Sequence, residues 1–155
     1  MANKQLIIDT NLLLLLVIGS IEEGRHIRNS TRLNKFDIND YKNVVSVMEE
    51  YTDIYITPYI ATEVSNLIDL NDYVGDLAFE TARTMFSIFL QADTDINEDC
   101  TTDNFIIYGI TDNSLIRLAQ NYTIFTDDLK LLPPLYAANP DNILPYTAVK
   151  ALYSN

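Results

Sequence analysis

Leu6-Ile7-Ile8 is an apolar run that stops at Asp9, and Leu12 to Ile18 is a second run with no polar face. A strand and a helix that are apolar all round must be covered by other elements on both sides. The first run reads as a buried strand of a parallel sheet. The second reads as a helix that Asn11 caps and that Gly19-Ser20 ends.

The rest of the chain repeats the alternation. Residues 20–38 are polar and read as a loop. Asp40 opens a helix with Tyr41, Val44, Val45, Met48 and Tyr51 at helical spacing. Ile54-Tyr55-Ile56-Thr57 is a strand, and Pro58 suits the first turn of the helix after it. That helix carries Ile60, Val64, Leu67 and Ile68 on one face. A further helix spans Gly75 to Leu90, with Leu77, Ala78, Met85, Phe86 and Phe89 inward. Ala92 to Asn104 reads as an acidic loop, and Phe105-Ile106-Ile107-Tyr108 as a strand or extended run. Thr111 is placed as the cap of a helix reaching Gln120. Thr123-Ile124-Phe125-Thr126 is a strand, and a short helix, a last strand at Ile143-Leu144 and a terminal helix complete the chain. Strands alternating with helices imply an α/β fold with a mainly parallel central sheet. The 155 residues fit one domain, spanning residues 1–155.

Composition narrows the class. With 48% hydrophobic and 21% charged residues the chain is globular in type rather than disordered. Cys100 is the only cysteine, which excludes an internal disulfide and a cysteine zinc site, and His26 is the only histidine, which argues against a histidine zinc site or a Ser-His-Asp triad. A reducing cytoplasm is the expected location. The apolar stretch from Leu6 to Ile18 is broken by Asp9, Thr10 and Asn11 and falls short of the about 20 residues that span a bilayer. It reads as neither signal peptide nor anchor. Asp93-Thr94-Asp95-Ile96-Asn97 begins like a calcium loop, but Glu98 stands where that loop needs glycine and Asn104 where it needs glutamate.

Four acidic positions are unusual. Asp9 ends the first strand, and Asp128, with Asp127 beside it, lies just past a later one. Sites in open parallel sheets form at the carboxyl ends of strands. Glu63 falls within the stripe Ile60, Val64, Leu67, and Asp112 extends the stripe Leu115, Ile116, Ala119 backwards. A carboxylate on the inner side of a helix is costly unless it is paired or binds metal. Two such helices beside two strand-end aspartates suggest a shared hard cation, magnesium or manganese.

At these residues the chain resembles the PIN domain family. Ile7-Ile8-Asp9-Thr10-Asn11 resembles the family's opening strand motif, and Thr57 to Val64 the helix with its second acid. Gly109 to Ile116 resembles the third motif, and Thr126-Asp127-Asp128 with Leu131 the fourth. The fourth acid usually stands two residues after the threonine, which favours Asp128 over Asp127, although either could serve. The motifs come in family order over nearly the whole chain. The resemblance implies a three-layer α/β/α fold, one or two Mg²⁺ or Mn²⁺ ions and phosphodiester hydrolysis leaving 5′-phosphate and 3′-hydroxyl ends. It implies Asp9, Glu63, Asp112 and Asp128 as metal ligands, with Asn11, Ser114 and Thr126 orienting them. Small stand-alone proteins of this family are often the endoribonuclease toxins of toxin–antitoxin pairs, and the resemblance implies that role here. The other readings are a PIN-like module that docks without cutting, and a nuclease acting on DNA.

Net charge is −12, the opposite of what most nucleic-acid binders carry. The basic residues are concentrated instead, with Arg25, Arg28, Arg32 and Lys35 in one stretch that is the candidate wall of an RNA path. The acidic remainder suits a basic protein partner. The all-round apolar helix from Leu12 to Ile18 suggests a homodimer, with one side against a second subunit.

Overall fold

The computed structural model describes residues 5–153. Its strands are β1 (Gln5–Ile8), β2 (Asp53–Ile56), β3 (Leu90–Gln91), β4 (Thr123–Thr126) and β5 (Ile143–Pro145). All pair in parallel, in the order β3-β2-β1-β4-β5. The helices are α1 (Thr10–Gly19), α2 (Ile38–Met48), α3 (Pro58–Leu67), α4 (Asp72–Ile88), α5 (Ile96–Asp99), α6 (Asp103–Leu118), α7 (Leu132–Ala138) and α8 (Tyr146–Tyr153). One group packs around α1, which touches α2, α3 and α4, and a second around α6, which touches α5 and α7. From β1 the chain steps outward through β2 to β3, and from β4 outward the other way to β5. With right-handed crossovers the two groups lie on opposite faces of the sheet. The result is the expected three-layer α/β/α architecture.

The centre of the molecule is β1, β4 and α1. Leu6, Ile7, Ile8, Ile124 and Phe125 are fully buried, and every residue from Leu12 to Ile18 is buried within the chain. This removes the ground for a homodimer through α1, whose apolar sides are covered by its own chain's helices and sheet. Among the described residues no helix is long and apolar enough to cross a membrane.

Several local expectations are corrected. Asp9, not Asn11, caps α1, its carboxylate accepting from Thr10 N at 2.7 Å. Helix α2 begins at Ile38 rather than at Asp40; Asp37 caps it, and Asp37 and Asp40 form a reciprocal capping box. Helix α4 runs from Asp72 to Ile88, and Leu77 is exposed while Ala78 and Ala82 turn inward. Leu90 is not the end of that helix but belongs to edge strand β3. Residues 92–104 include the short helix α5, capped by Asp95.

Residues 20–38 are not a loose loop. Two 3-10 turns, at Glu22–Gly24 and Ile27–Asn29, fold the segment down on Ile21, Ile27, Leu33 and Phe36, all buried. Residues 105–108 are helical rather than extended. Ile106 and Ile107 are 81% and 70% exposed, so their run of apolar side chains has no place in the sheet; a short apolar run does not by itself distinguish strand from helix. The break comes at Gly109, whose φ of 85° is in the left-handed range that glycine adopts without strain. It divides α6 into a first turn or two and the straight helix that bears Asp112, so Thr111 lies inside that helix and does not cap it.

Candidate active site

The reversal of strand order falls between β1 and β4, and open α/β sheets bind ligands at such a point. Ile8 pairs with Phe125, and Asp9 N donates to Phe125 O at 2.9 Å. The chain therefore leaves both strands side by side, Asp9 on one and Thr126-Asp127-Asp128 on the other. Helices α3 and α6 touch each other and bring Glu63 and Asp112 to the same place. Asp9, Thr10, Asn11, Arg32, Glu63, Asp112, Asp127 and Asp128 line one cavity of about 170 Å³. All five acids selected from sequence are in that lining.

Each carboxylate is held differently. Asp9 is 6% exposed. Its Oδ2 accepts from Thr126 Oγ1 at 2.6 Å and its Oδ1 from Thr10 N. Thr126 Oγ1 in turn accepts from Asp128 N at 3.0 Å, so one hydroxyl ties the two strand ends together. Asp128 Oδ1 accepts from Lys130 N at 3.0 Å within its own turn. Glu63 Oε2 accepts from Thr111 Oγ1. Asp127 Oδ2 is taken by Lys35 Nζ at 3.2 Å and Asn11 Nδ2 at 3.3 Å. Asp127 is thus neutralised within the protein, which leaves Asp128 as the freer of the pair.

The electrostatics are those of carboxylates without enough positive charge. Burial pushes Asp112 up to about 7, and the fields of Asp9, Asp128 and Glu63 push the same way. Burial likewise raises Asp9 to about 6; the hydrogen bonds from Thr126 and Thr10 oppose it, while Asp127 and Asp128 add to it. Like charges sharing a small, partly desolvated volume have this effect. Shifted carboxyls lining a cleft mark functional sites often enough to make this the leading candidate in the molecule.

The donor set is all oxygen and anionic, which fits Mg²⁺ or Mn²⁺ and does not fit a soft-ligand metal. Among the described residues, no three acidic, histidine or cysteine side chains stand in a ready-made ligating geometry. The carboxylates surround a common space rather than converge on a point.

Of the residues assigned to orienting roles, Thr126 bonds Asp9 and Asn11 bonds Asp127. Ser114 acts at one remove, its Oγ donating to Thr111 O at 2.6 Å. Thr111 was not selected from sequence as a site residue. It precedes Asp112 on the same helix, and only the packing of α6 on α3 aims its hydroxyl at Glu63. Thr10 was missed also, although it stands between Asp9 and Asn11. The basic stretch divides. Arg32 lines the cavity and Lys35 holds Asp127, whereas Arg25 and Arg28 line a separate hollow with Asp37. Arg25 also donates to the Glu22 carbonyl. No protein-family model matches the chain, and neither the curated proteins nor the solved structures include a significant match to it.

Proposed function

We propose that the chain is a PIN-type, Mg²⁺- or Mn²⁺-dependent endoribonuclease. The observation that carries this reading is the single cavity at the switch point of a parallel sheet. Asp9, Glu63, Asp112 and Asp128 reach it from four different elements, with two of them raised well above the ordinary carboxylate value. Those four would hold the cation. Asp127 is outside the set because Lys35 and Asn11 already satisfy it.

Held by Asp9, Glu63, Asp112 and Asp128, a divalent ion would supply Lewis acidity toward water and toward the phosphoryl oxygens. The chain's own groups prepare for it. Thr126 fixes the rotamer of Asp9 and links it to the backbone of Asp128. Thr111 fixes Glu63. Asp9, buried and capping α1, cannot swing away without giving up both its hydrogen bonds. No histidine or lysine base is needed, which agrees with a cavity whose titratable lining is carboxylates and Arg32.

A toxin role, with a small basic antitoxin as partner, is consistent with the net charge of −12 and with a cytoplasmic location. Purified wild-type chain incubated with labelled single-stranded RNA in Mn²⁺ should cut it, and EDTA or Asp9→Asn should abolish cutting. Asn keeps the size of Asp9 and an oxygen to accept from Thr10 N, so the folded state of that variant can be checked alongside. Cleavage of matched DNA in preference to RNA would move the substrate class. A folded wild type that neither binds Mn²⁺ nor cuts would replace the enzyme with a docking module.

A further inference from the structure

The basic segment is anchored at several points near the cavity. Ile27, Ser30, Leu33 and Phe36 are buried along it. Thr31 N donates to Asp69 Oδ2 at 3.0 Å. Lys35 is paired with Asp127, which Asn11 also holds. Arg32 lies between the Thr31 and Lys35 anchors, so its backbone is fixed while its side chain is exposed. It lines the acidic cavity yet forms no hydrogen bond or ion pair with any described residue. Beside five carboxylates, pairing would neutralise charge, as Lys35 does for Asp127; Arg32 instead leaves its planar fork of donors open.

A second observation comes from the cavity wall. Thr10 is only 7% exposed, and its Oγ1 is buried with no hydrogen-bond partner. Buried hydroxyls are paired in the great majority of cases. Of the two unpaired buried hydroxyls among the described residues, Thr10 Oγ1 and Ser30 Oγ, only Thr10 belongs to a residue that lines the cavity, where a turn of its side chain would offer the hydroxyl to a guest.

We propose that Arg32 seats a phosphodiester of the substrate at this cavity, with the Thr10 hydroxyl as a further polar contact on its wall. The proposal rests on the nuclease reading above and names the residue that resolves its main electrostatic difficulty. A polyanion approaching an acidic cleft needs fixed positive charge, and a guanidinium matches two phosphate oxygens at once where an ammonium offers a point charge. Arg25 and Arg28 face another hollow and take no part.

The test is equilibrium binding of a short labelled RNA to the full chain in Ca²⁺, across a salt series, by fluorescence anisotropy, with Mn²⁺-dependent cleavage assayed in parallel. Wild type should bind. Arg32→Ala should weaken binding about tenfold and lower the slope of log affinity against log salt by about 1. Arg32→Lys should recover part of the affinity, and Arg28→Ala should match wild type. Thr10→Val should weaken binding a few-fold without lowering the melting temperature. Cleaving, RNA-binding wild type with Arg32→Ala indistinguishable from it would overturn this proposal and leave the nuclease reading intact. A wild type that neither binds nor cuts RNA would overturn both.

Discussion

The turn around Asp99 and the cavity at the strand ends both bury carboxylates, and they treat them in opposite ways. Asp99, at the end of α5, is fully buried and completely served: Tyr59 Oη donates to it at 2.8 Å, Arg117 Nε at 2.8 Å and Asp95 N at 3.1 Å. Asn113 on α6 clamps the same turn by donating to Asp99 O. At the cavity, Asp9 receives one hydroxyl and one backbone N–H, and Asp112 has neither donor nor cation among the described residues, only three neighbouring acids. The same helix, α6, thus contributes Arg117 to a closed ion pair and Asp112 to an open cluster. The contrast shows that the fold can neutralise a buried carboxylate where it needs rigidity. The cation proposed for the strand ends would supply there the charge that Arg117 supplies to Asp99.

The contrast can be broken from either side. The largest effect is expected from Arg117→Ala, which leaves Asp99 buried without its cation. Unfolding free energy should fall by about 3 kcal/mol, measured by denaturant titration. A loss below about 1 kcal/mol would mean that water replaces the guanidinium and that the two regions differ little.

A comparable effect should appear in the pH dependence. Asp9 and Asp112 stand at about 6 and about 7 in the folded chain against an ordinary 3.8. Folded values above unfolded ones mean that the folded chain holds protons the unfolded chain has released. Stability contributed by these groups is present below about pH 4 and is lost as pH rises through 6 and 7, by an amount on the order of 3 kcal/mol from Asp9 alone. Mn²⁺ should remove that loss, so its stabilisation of the fold should grow as pH rises across the window. Metal stabilisation that is flat with pH would contradict the binding of Mn²⁺ by these two carboxylates.

The smallest effect sharpens the comparison within the cleft. Lys35→Ala frees Asp127, which is half-buried and keeps Asn11 as a donor. Loss of this pair should cost under about 1 kcal/mol and should strengthen the repulsion that Asp127 already exerts on Asp9, moving the titration of Asp9 further upward. Carbon-detected NMR titration of the carboxyl groups reads that shift directly; no movement of Asp9 would detach Asp127 from the cluster.

How much of this was legible in the sequence depends on how local each signal is. The strand-end acids Asp9 and Asp128 were readable because apolar runs ending in a carboxylate fix both the strand and its exit. Glu63 and Asp112 were readable from helical spacing, since neighbours three and four residues away define the inner face. Asp99 was not: it sits in a stretch with the composition of a solvated loop, and its partners Tyr59 and Arg117 are brought to it only by the packing of α3 and α6 on α5. The division of the basic stretch was hidden for a similar reason. Ile27, Leu33 and Phe36 are too sparse to show a period, yet their burial decides that Arg32 meets the cavity and Arg28 does not. The apolar run at 105–108 misled because it belongs to a helix that starts at Asp103 and leaves Ile106 and Ile107 facing outward, so its own pattern carries no sign of its state. The surroundings of α1 were not legible either, because an all-apolar helix is equally suited to a partner and to the middle of its own fold, where its residues are buried.

The most direct test of the central claim is the thermal stability of wild type and Asp112→Asn near neutral pH, each with and without Mn²⁺. If the cleft holds carboxylates in want of a cation, removing one charge relieves repulsion, and the variant should be more stable than wild type without metal. Wild type should then gain about 2.7 kcal/mol at a hundredfold excess of Mn²⁺ over its Kd, and the variant should lose most of that gain. An Asp112→Asn chain that is less stable without metal and still responds fully to Mn²⁺ would show that Asp112 is a structural acid outside the cation site, and a wild type with no response to Mn²⁺ would show that the cavity is not a cation site.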